Sequence, residues 1–163
     1  MQTRLASSAD AEAIAAIYNL EVETTTNTFD LEPRTLAEQL AWLERHTGAH
    51  PAVVAEDPET LEIMGFGSLS TYRARPAYAT TVEDSVYVAS GARGRGVGRL
   101  ILGALLELAA DHGFHAVIAR VVGENQASIG LHEACGFTLV GVEREVGRKH
   151  GRWLDVVELQ RML

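Results

Sequence analysis

The stretch Val86-Tyr-Val-Ala-Ser-Gly-Ala-Arg-Gly-Arg-Gly-Val-Gly-Arg99 decides how this chain folds. It closes a strand, residues 80–88, in which Val82, Asp84, Val86 and Val88 alternate with Glu83, Ser85 and Tyr87. Beyond the glycines, Val97, Ile101, Ala104, Leu105 and Leu108 recur at helical spacing until Gly113. Strand, glycine turn and helix together make an anion site, because glycines let backbone N–H groups approach a ligand and the helix start adds partial positive charge. Arg93, Arg95 and Arg99 would strengthen it with charge-assisted hydrogen bonds. A Walker P-loop is excluded, since no Gly-x-x-x-x-Gly-Lys-Ser/Thr string occurs. A dinucleotide-binding turn fits poorly: half the chain precedes the glycines, and arginines fill the variable positions. A glycine loop that merely turns a corner remains an alternative.

Outward from this centre the chain alternates strands and helices. Upstream, residues 2–6 read as a strand, and residues 7–10 cap a helix carrying Ile14, Ile17 and Tyr18. Residues 24–33 are polar and broken by Asn27, Asp30 and Pro33, hence a loop. Thr35 with Glu38 forms a capping box for a second helix that buries Leu36, Leu40 and Leu43. Residues 52–55 and 63–70 pair as a hairpin, and residues 72–79 form an exposed connection. Downstream, residues 116–122 form a buried strand, and Asn125 caps a helix with Ala127, Leu131, Ala134 and Cys135 inward. Gly136 stops that helix, and residues 139–146 and 153–159 close the chain as two strands. The class is mixed α/β, a mostly antiparallel central sheet flanked by helices, in a single domain spanning residues 1–163.

Composition narrows the function. A net charge of −8 argues against a nucleic-acid binder, although thirteen of the fourteen cations are arginine. No apolar run approaches the ~20 residues that span a bilayer, and the amino end lacks the apolar stretch of a signal peptide. With Cys135 alone and no internal disulfide possible, a cytoplasmic protein is expected. The histidines show no metal-ligand spacing, so no metal is expected.

Arg93-x-x-Gly96-x-Gly98 after a strand resembles the acetyl-CoA pyrophosphate motif of the Gcn5-related N-acetyltransferases. Asn125-Gln-Ala-Ser-Ile-Gly-Leu-His-Glu-Ala-Cys-Gly-Phe137 resembles the later Asn…Gly-Phe signature of the same superfamily, and the element order agrees over essentially the whole chain. Ile17-Tyr-Asn19, Thr28-Phe-Asp-Leu-Glu-Pro33, Thr81-Val-Glu-Asp-Ser-Val-Tyr-Val88 and Lys149-His-Gly-Arg-Trp-Leu-Asp155 are similar to the phosphinothricin/methionine sulfoximine acetyltransferase subfamily. Two departures stand out: Ser90 where a proline is common, and Gly123-Glu124 in place of an acidic pair.

The resemblance implies an acyl-CoA N-acyltransferase fold, acetyl-CoA as co-substrate, a small amino-acid-like amine as acceptor, and a homodimer. It implies that the backbone of Val86, Tyr87 and Val88 pairs with the pantetheine arm, and that Arg93 and the amides of Gly94, Arg95, Gly96, Val97, Gly98 and Arg99 hold the pyrophosphate. Asn125, with Ser128 on the same helix face, would contact the arm near the thioester.

Direct attack on a thioester needs a neutral amine and hence a proton acceptor. Glu83 is the candidate base, matching the subfamily's Thr-Val-Glu string; the alternative is a solvated or merely orienting carboxylate. His132, on the face of Asn125 and Ser128, is the candidate acid for the leaving thiolate, against the alternative of a helix histidine satisfied by a neighbour. Arg73 and Arg75 lie just before the strand bearing Glu83 and would grip an acceptor carboxylate, with Ser85 beside them, against the alternative that both are solvated loop charges or dimer contacts; the resemblance implies Phe29 and Tyr78 as an apolar wall. Rival readings are a protein or peptide N-acetyltransferase and a non-catalytic acyl-CoA sensor.

Overall fold

A computed structural model describes residues 1–163. The elements are β1 (Gln2–Leu5), α1 (Ala11–Thr24), α2 (Leu36–Arg45), β2 (Ala52–Glu56), β3 (Ile63–Thr71), β4 (Thr81–Val88), α3 (Val97–Asp111), β5 (Ala116–Val122), α4 (Gln126–Ala134), β6 (Thr138–Lys149) and β7 (Arg152–Met162). One sheet runs β1-β2-β3-β4-β5-β7-β6, antiparallel throughout except for the β4–β5 pair.

That parallel pair shapes the molecule. It is in register only from Thr81↔Ala116 to Asp84↔Ala119, although both strands continue, β4 to Val88 and β5 to Val122. Past Asp84 the strands part and leave a wedge in the middle of the sheet. The larger core, with Leu69, Val82, Ile101, Leu105, Val117 and Leu159, packs α3 on one face. The smaller core puts Ile14, Tyr18 and Val22 of α1 and Leu43 of α2 against Val54 and Phe66 on β2 and β3.

Local signals read from the sequence have visible causes. The Thr35 N–H donates to Glu38 Oε2 at 2.8 Å, and the Glu38 N–H donates to Thr35 Oγ1 at 3.3 Å, closing the capping box. Ser7 and Asp10 bond similarly at 2.8 Å, through a short 3₁₀ turn that leads into α1. Gly136 ends α4 at φ 85° and delivers Phe137 into the core.

Three expectations need correction. On α2 Leu36 is not buried: it is 46% exposed, Leu40 is half-buried, and Gln39 joins Leu43 as a buried residue of the helix. The inward face of α4 is only partly the expected one: Leu131 and Cys135 pack against the larger core, but Ala127 and Ala134 are exposed, and His132 is the deepest residue of the helix. Its ring meets Phe137 edge-on at 5.0 Å and a carboxylate waits for it on β4, so a polar side chain outcompetes an alanine for that place. The closing strands are also longer than residues 139–146 and 153–159. They reach Thr138–Lys149 and Arg152–Met162 by absorbing register shifts near Gly141 and Gly147, and only His150 and Gly151 turn the corner.

Candidate active site

The wedge between β4 and β5 opens as a cleft of about 370 Å³. Ser85–Val88, Ala119–Val122, Gly94, Gly96–Arg99, Asn125, Ala127, Ser128, Leu131 and His132 are among the residues lining it. Sheet geometry makes the β4 wall polar. The Ala89 N–H donates to Met64 O on β3, so Tyr87 and Ser85 share that orientation by alternation. Val86 and Val88 therefore turn their N–H and C=O groups toward the cleft, where β5 no longer pairs with them. A free strand edge of this kind accepts an extended, amide-bearing arm as an added strand.

At the end of that edge stands the glycine turn. Gly94 and Gly96 have φ of 72° and 84°, and Gly96 is the N-cap of α3. Left-handed backbone there turns successive N–H groups to one side while the helix dipole points into the same space, a fit for a pyrophosphate. Arg99 lines the cleft, whereas Arg95 is exposed and outside it. Arg93 also lines the cleft, where its guanidinium bonds Glu21 of α1 and its Nε donates to Val88 O at 3.3 Å. Glu21 is 4% exposed and also accepts from Asn27 Nδ2 at 2.7 Å, so Arg93 ties the glycine turn to α1 and the loop after it.

Asn125 caps α4, its side-chain oxygen accepting from the Ser128 N–H at 3.1 Å, which brings Ser128 and His132 to the cleft. His132 is 3% exposed with both ring nitrogens engaged, Nε2 with Asp84 Oδ2 at 3.0 Å and Nδ1 with Ser128 O at 2.7 Å. Burial opposes its charge, but the hydrogen bond and charge of Asp84 prevail and raise its pKa. Tyr87 stacks on Phe66 at 5.2 Å and meets Tyr18 edge-on at 5.1 Å; burial pushes its phenol far up, so it packs rather than titrates near neutrality.

Glu83 projects from the opposite face of β4 to Asp84. Burial raises its pKa, Arg120 works against that rise, and Asp84, Glu158 and Glu143 add to it. Arg120 bonds Glu143, and the Tyr72 hydroxyl donates to Glu158 Oε1 at 3.3 Å. Arg73 lies over the rings of Tyr72 and Tyr78, at 4.8 and 5.5 Å, and Glu158 acts on its charge. Arg75 is exposed at the start of the 3₁₀ turn Pro76–Tyr78. Phe29 is 40% exposed and packs against Gly147 of β6.

The structure thus brings the glycine turn, the Val86–Val88 edge, Asn125, Ser128 and His132 together around one cleft, and places Glu83, Arg73 and Tyr78 in a second cluster beside it. Phe29, Arg73, Arg75, Tyr78 and Glu83 do not line the cleft itself. Sequence reasoning gave no role to Asp84, Glu21 or Arg120. Each left a trace: Asp84 on an otherwise valine face, Glu21 in register with Ile14, Ile17 and Tyr18, and Arg120 inside the apolar run Ala-Val-Ile-Ala-Arg-Val-Val.

The sequence profile of the acetyltransferase (GNAT) family matches residues 14–137. The chain belongs to this family. Phosphinothricin N-acetyltransferase of Streptomyces coelicolor is 44% identical, covering 100% of this chain and 96% of that protein. The L-methionine sulfoximine/L-methionine sulfone acetyltransferase of Pseudomonas aeruginosa is 40% identical over 93% of this chain and 88% of its own length. Among solved structures, a GNAT superfamily phosphinothricin acetyltransferase from Sinorhizobium meliloti in complex with AcCoA superimposes with a TM-score of 0.95 at 38% identity, covering 99% of this chain and 88% of that one. The acyltransferase fold and the enzyme class follow: the protein is an acetyltransferase. No helix is long and apolar enough to cross a membrane.

Proposed function

We propose that the protein transfers the acetyl group of acetyl-CoA to the amine of a small amino-acid-like acceptor of the phosphinothricin, methionine sulfoximine or methionine sulfone type, by direct attack in a ternary complex. The observation that carries this reading is the unpaired Val86–Val88 edge leading into the left-handed Gly94–Gly96 turn at the start of α3. That geometry suits an amide-bearing arm followed by a pyrophosphate. Gly94–Arg99 hold the pyrophosphate through main-chain amides, and Asn125 and Ser128 hold the arm on the far wall.

Acetyl-CoA supplies an activated acyl carbon; the residues supply placement and proton handling. Val86 N–H points into the cleft and stabilises charge on the carbonyl oxygen during attack. Glu83 takes the proton of the amine, a task its raised pKa suits because a base poised nearer neutrality holds that proton better. His132 supplies the proton for the departing sulfur. Arg73, neither paired with a carboxylate nor buried, grips the acceptor's carboxylate with Arg75 in support, while Phe29 and Tyr78 wall its side chain.

Two copies are expected to associate in the cytoplasm. Leu139, Val140, Val142 and Val146 on the edge strand β6, with Trp153 at 62% exposure on β7, leave an apolar strip that a second copy would cover.

Thiol release from acetyl-CoA, followed across phosphinothricin, methionine sulfoximine, methionine sulfone and a basic peptide, tests this reading. Turnover with the amino-acid analogues is expected. Turnover with the peptide alone makes the protein a peptide acetyltransferase, and tight acetyl-CoA binding without any turnover makes it a sensor.

A further inference from the structure

At the apex of the wedge lies a buried pair, Asp84 and His132. Asp84 stands on the last paired rung of β4 and β5, is 5% exposed, and lines the cleft. One of its oxygens, Oδ2, meets His132 Nε2 at 3.0 Å, and the other accepts no hydrogen bond although it is buried. Burying a carboxylate with a lone pair unsatisfied is costly. Replacing such a pair by packed apolar side chains is often neutral or stabilising, so stability alone does not account for it.

The hydrogens on His132 follow from its neighbours. Nδ1 lies 2.7 Å from Ser128 O, and a carbonyl only accepts, so Nδ1 carries a hydrogen. An ionised Asp84 likewise requires a hydrogen on Nε2, which makes the ring an imidazolium. The same Nδ1 is 3.4 Å from the hydroxyl of Ser128, which lines the cleft. Asp84 from β4 is the one charged group acting on His132; α4 contributes the Ser128 carbonyl, and Phe137 contributes its ring edge.

Building on the acetyl-transfer reading above, we propose that Asp84 is a positioning residue that holds His132 as a proton store, and that the Ser128 hydroxyl is the catalytic group that passes the proton to the CoA sulfur. His132 itself is locked between two acceptors and does not turn toward the sulfur. As the carbon–sulfur bond breaks, sulfur keeps the electron pair and takes the hydrogen of Ser128 Oγ, while Oγ takes the one on His132 Nδ1. The ring is left neutral, with Nε2–H still on Asp84 and a bare Nδ1 facing the Ser128 carbonyl. That clash of lone pairs favours reprotonation from solvent, into which the proton taken from the amine is released. The sum is acetyl-CoA plus amine giving amide plus CoA thiol.

The test uses the full chain, acetyl-CoA and phosphinothricin, with nitrogen-15 spectra of His132 recorded without acceptor. Wild-type His132 is expected to show two protonated ring nitrogens near neutral pH, and Asp84→Asn one. Asp84→Asn and Ser128→Ala are each expected to lower kcat about tenfold or more, since general acid catalysis contributes to the chemical step; Asp84→Asn leaves KM for acetyl-CoA within about twofold, whereas Ser128→Ala, which also loses a contact to the arm, is judged on kcat alone. Ser128→Thr, which keeps the hydroxyl, restores most of the rate. In Asp84→Asn the fall of kcat at high pH moves to lower pH, which a purely structural role would not produce. A neutral His132 in the wild type overturns the proposal, as does a Ser128→Ala variant with wild-type kcat. Should Asp84→Asn fail to fold, the wild-type spectrum and the Ser128 variants still decide. Failure of the acetyl-transfer reading looks different: the wild type acetylates no amine.

Discussion

Along its cofactor side the cleft is walled mainly by main chain, the Val86–Val88 edge and the glycine turn from Gly94 to Arg99, with Arg93 bonded to Glu21 at its border. The neighbouring cluster, which the proposed function gives to the acceptor, is built of side chains from distant segments: Arg73 and Tyr78 between β3 and β4, Glu83 on β4, and Arg120, Glu143 and Glu158 on β5, β6 and β7. A main-chain site is fixed by φ and ψ and tolerates many side chains, so it depends on a few glycines. A side-chain site can be retuned one residue at a time. The first wall suits a co-substrate that never changes, the second an acceptor that does.

The largest effect is expected from Gly96→Asp. At φ 84° any side chain is strained, and a carboxylate there repels a pyrophosphate. No atom lies within 4 Å of a Cβ at this position, so the variant is expected to fold. Calorimetric titration is expected to show no acetyl-CoA binding while circular dichroism stays native. Unchanged affinity would show that the glycine turn only changes the direction of the chain.

Next comes Glu83→Gln, which tests the acceptor side without touching the main-chain wall. Loss of a general base is expected to lower kcat by about 10²-fold, with the acetyl-CoA dissociation constant unchanged. The sign of the pH effect is fixed: the base works ionised, so in the wild type kcat/KM falls as pH drops through the raised pKa of Glu83. That acid limb is expected above the usual carboxylate range and absent from the variant. A variant that keeps the limb assigns it to another group.

The same contrast governs what the sequence makes legible. The glycine turn, the capping box at Thr35 and the Gly136 stop are local, with causes a few residues away. The parting of β4 and β5 is partly legible, since strand, glycines and helix imply a parallel neighbour, but the rung where pairing stops depends on tertiary packing. His132 shows the limit. Alanine and cysteine set the expected inner face of α4, and the partner that draws His132 inward lies 48 positions away on β4. Arg93 shows it again: the motif brings it to the cleft, and only the fold reveals the buried Glu21 that it also bonds.

A smaller effect is expected from Arg73→Ala. A charge-assisted hydrogen bond contributes roughly 1.5–3 kcal/mol, so kcat/KM for phosphinothricin is expected to fall about tenfold to a hundredfold. The methyl ester of the carboxyl group is expected to lose as much with the wild-type protein, and little more in the variant. Equal kcat/KM for acid and ester would remove the carboxylate grip. A fall reproduced by Arg75→Ala alone would transfer it to the neighbouring arginine.

The smallest and most diagnostic change is Gly147→Ala. A Cβ at Gly147 would collide with Cε2 and Cζ of Phe29, falling closer than atoms can approach, so the ring must leave its seat on β6. Phe29 is 40% exposed and has solvent to move into, so the fold is expected to survive with little loss of stability. If Phe29 walls the acceptor, KM for phosphinothricin rises several-fold while the acetyl-CoA dissociation constant stays put. The same rise is expected from Phe29→Ala, which removes the wall directly. The double variant separates cause from coincidence: with the ring gone, the alanine at 147 has nothing to displace, so the two effects do not add. Additive losses would mean that Gly147 acts on the hairpin itself, and the acceptor wall would then have to be sought around Tyr78 rather than Phe29.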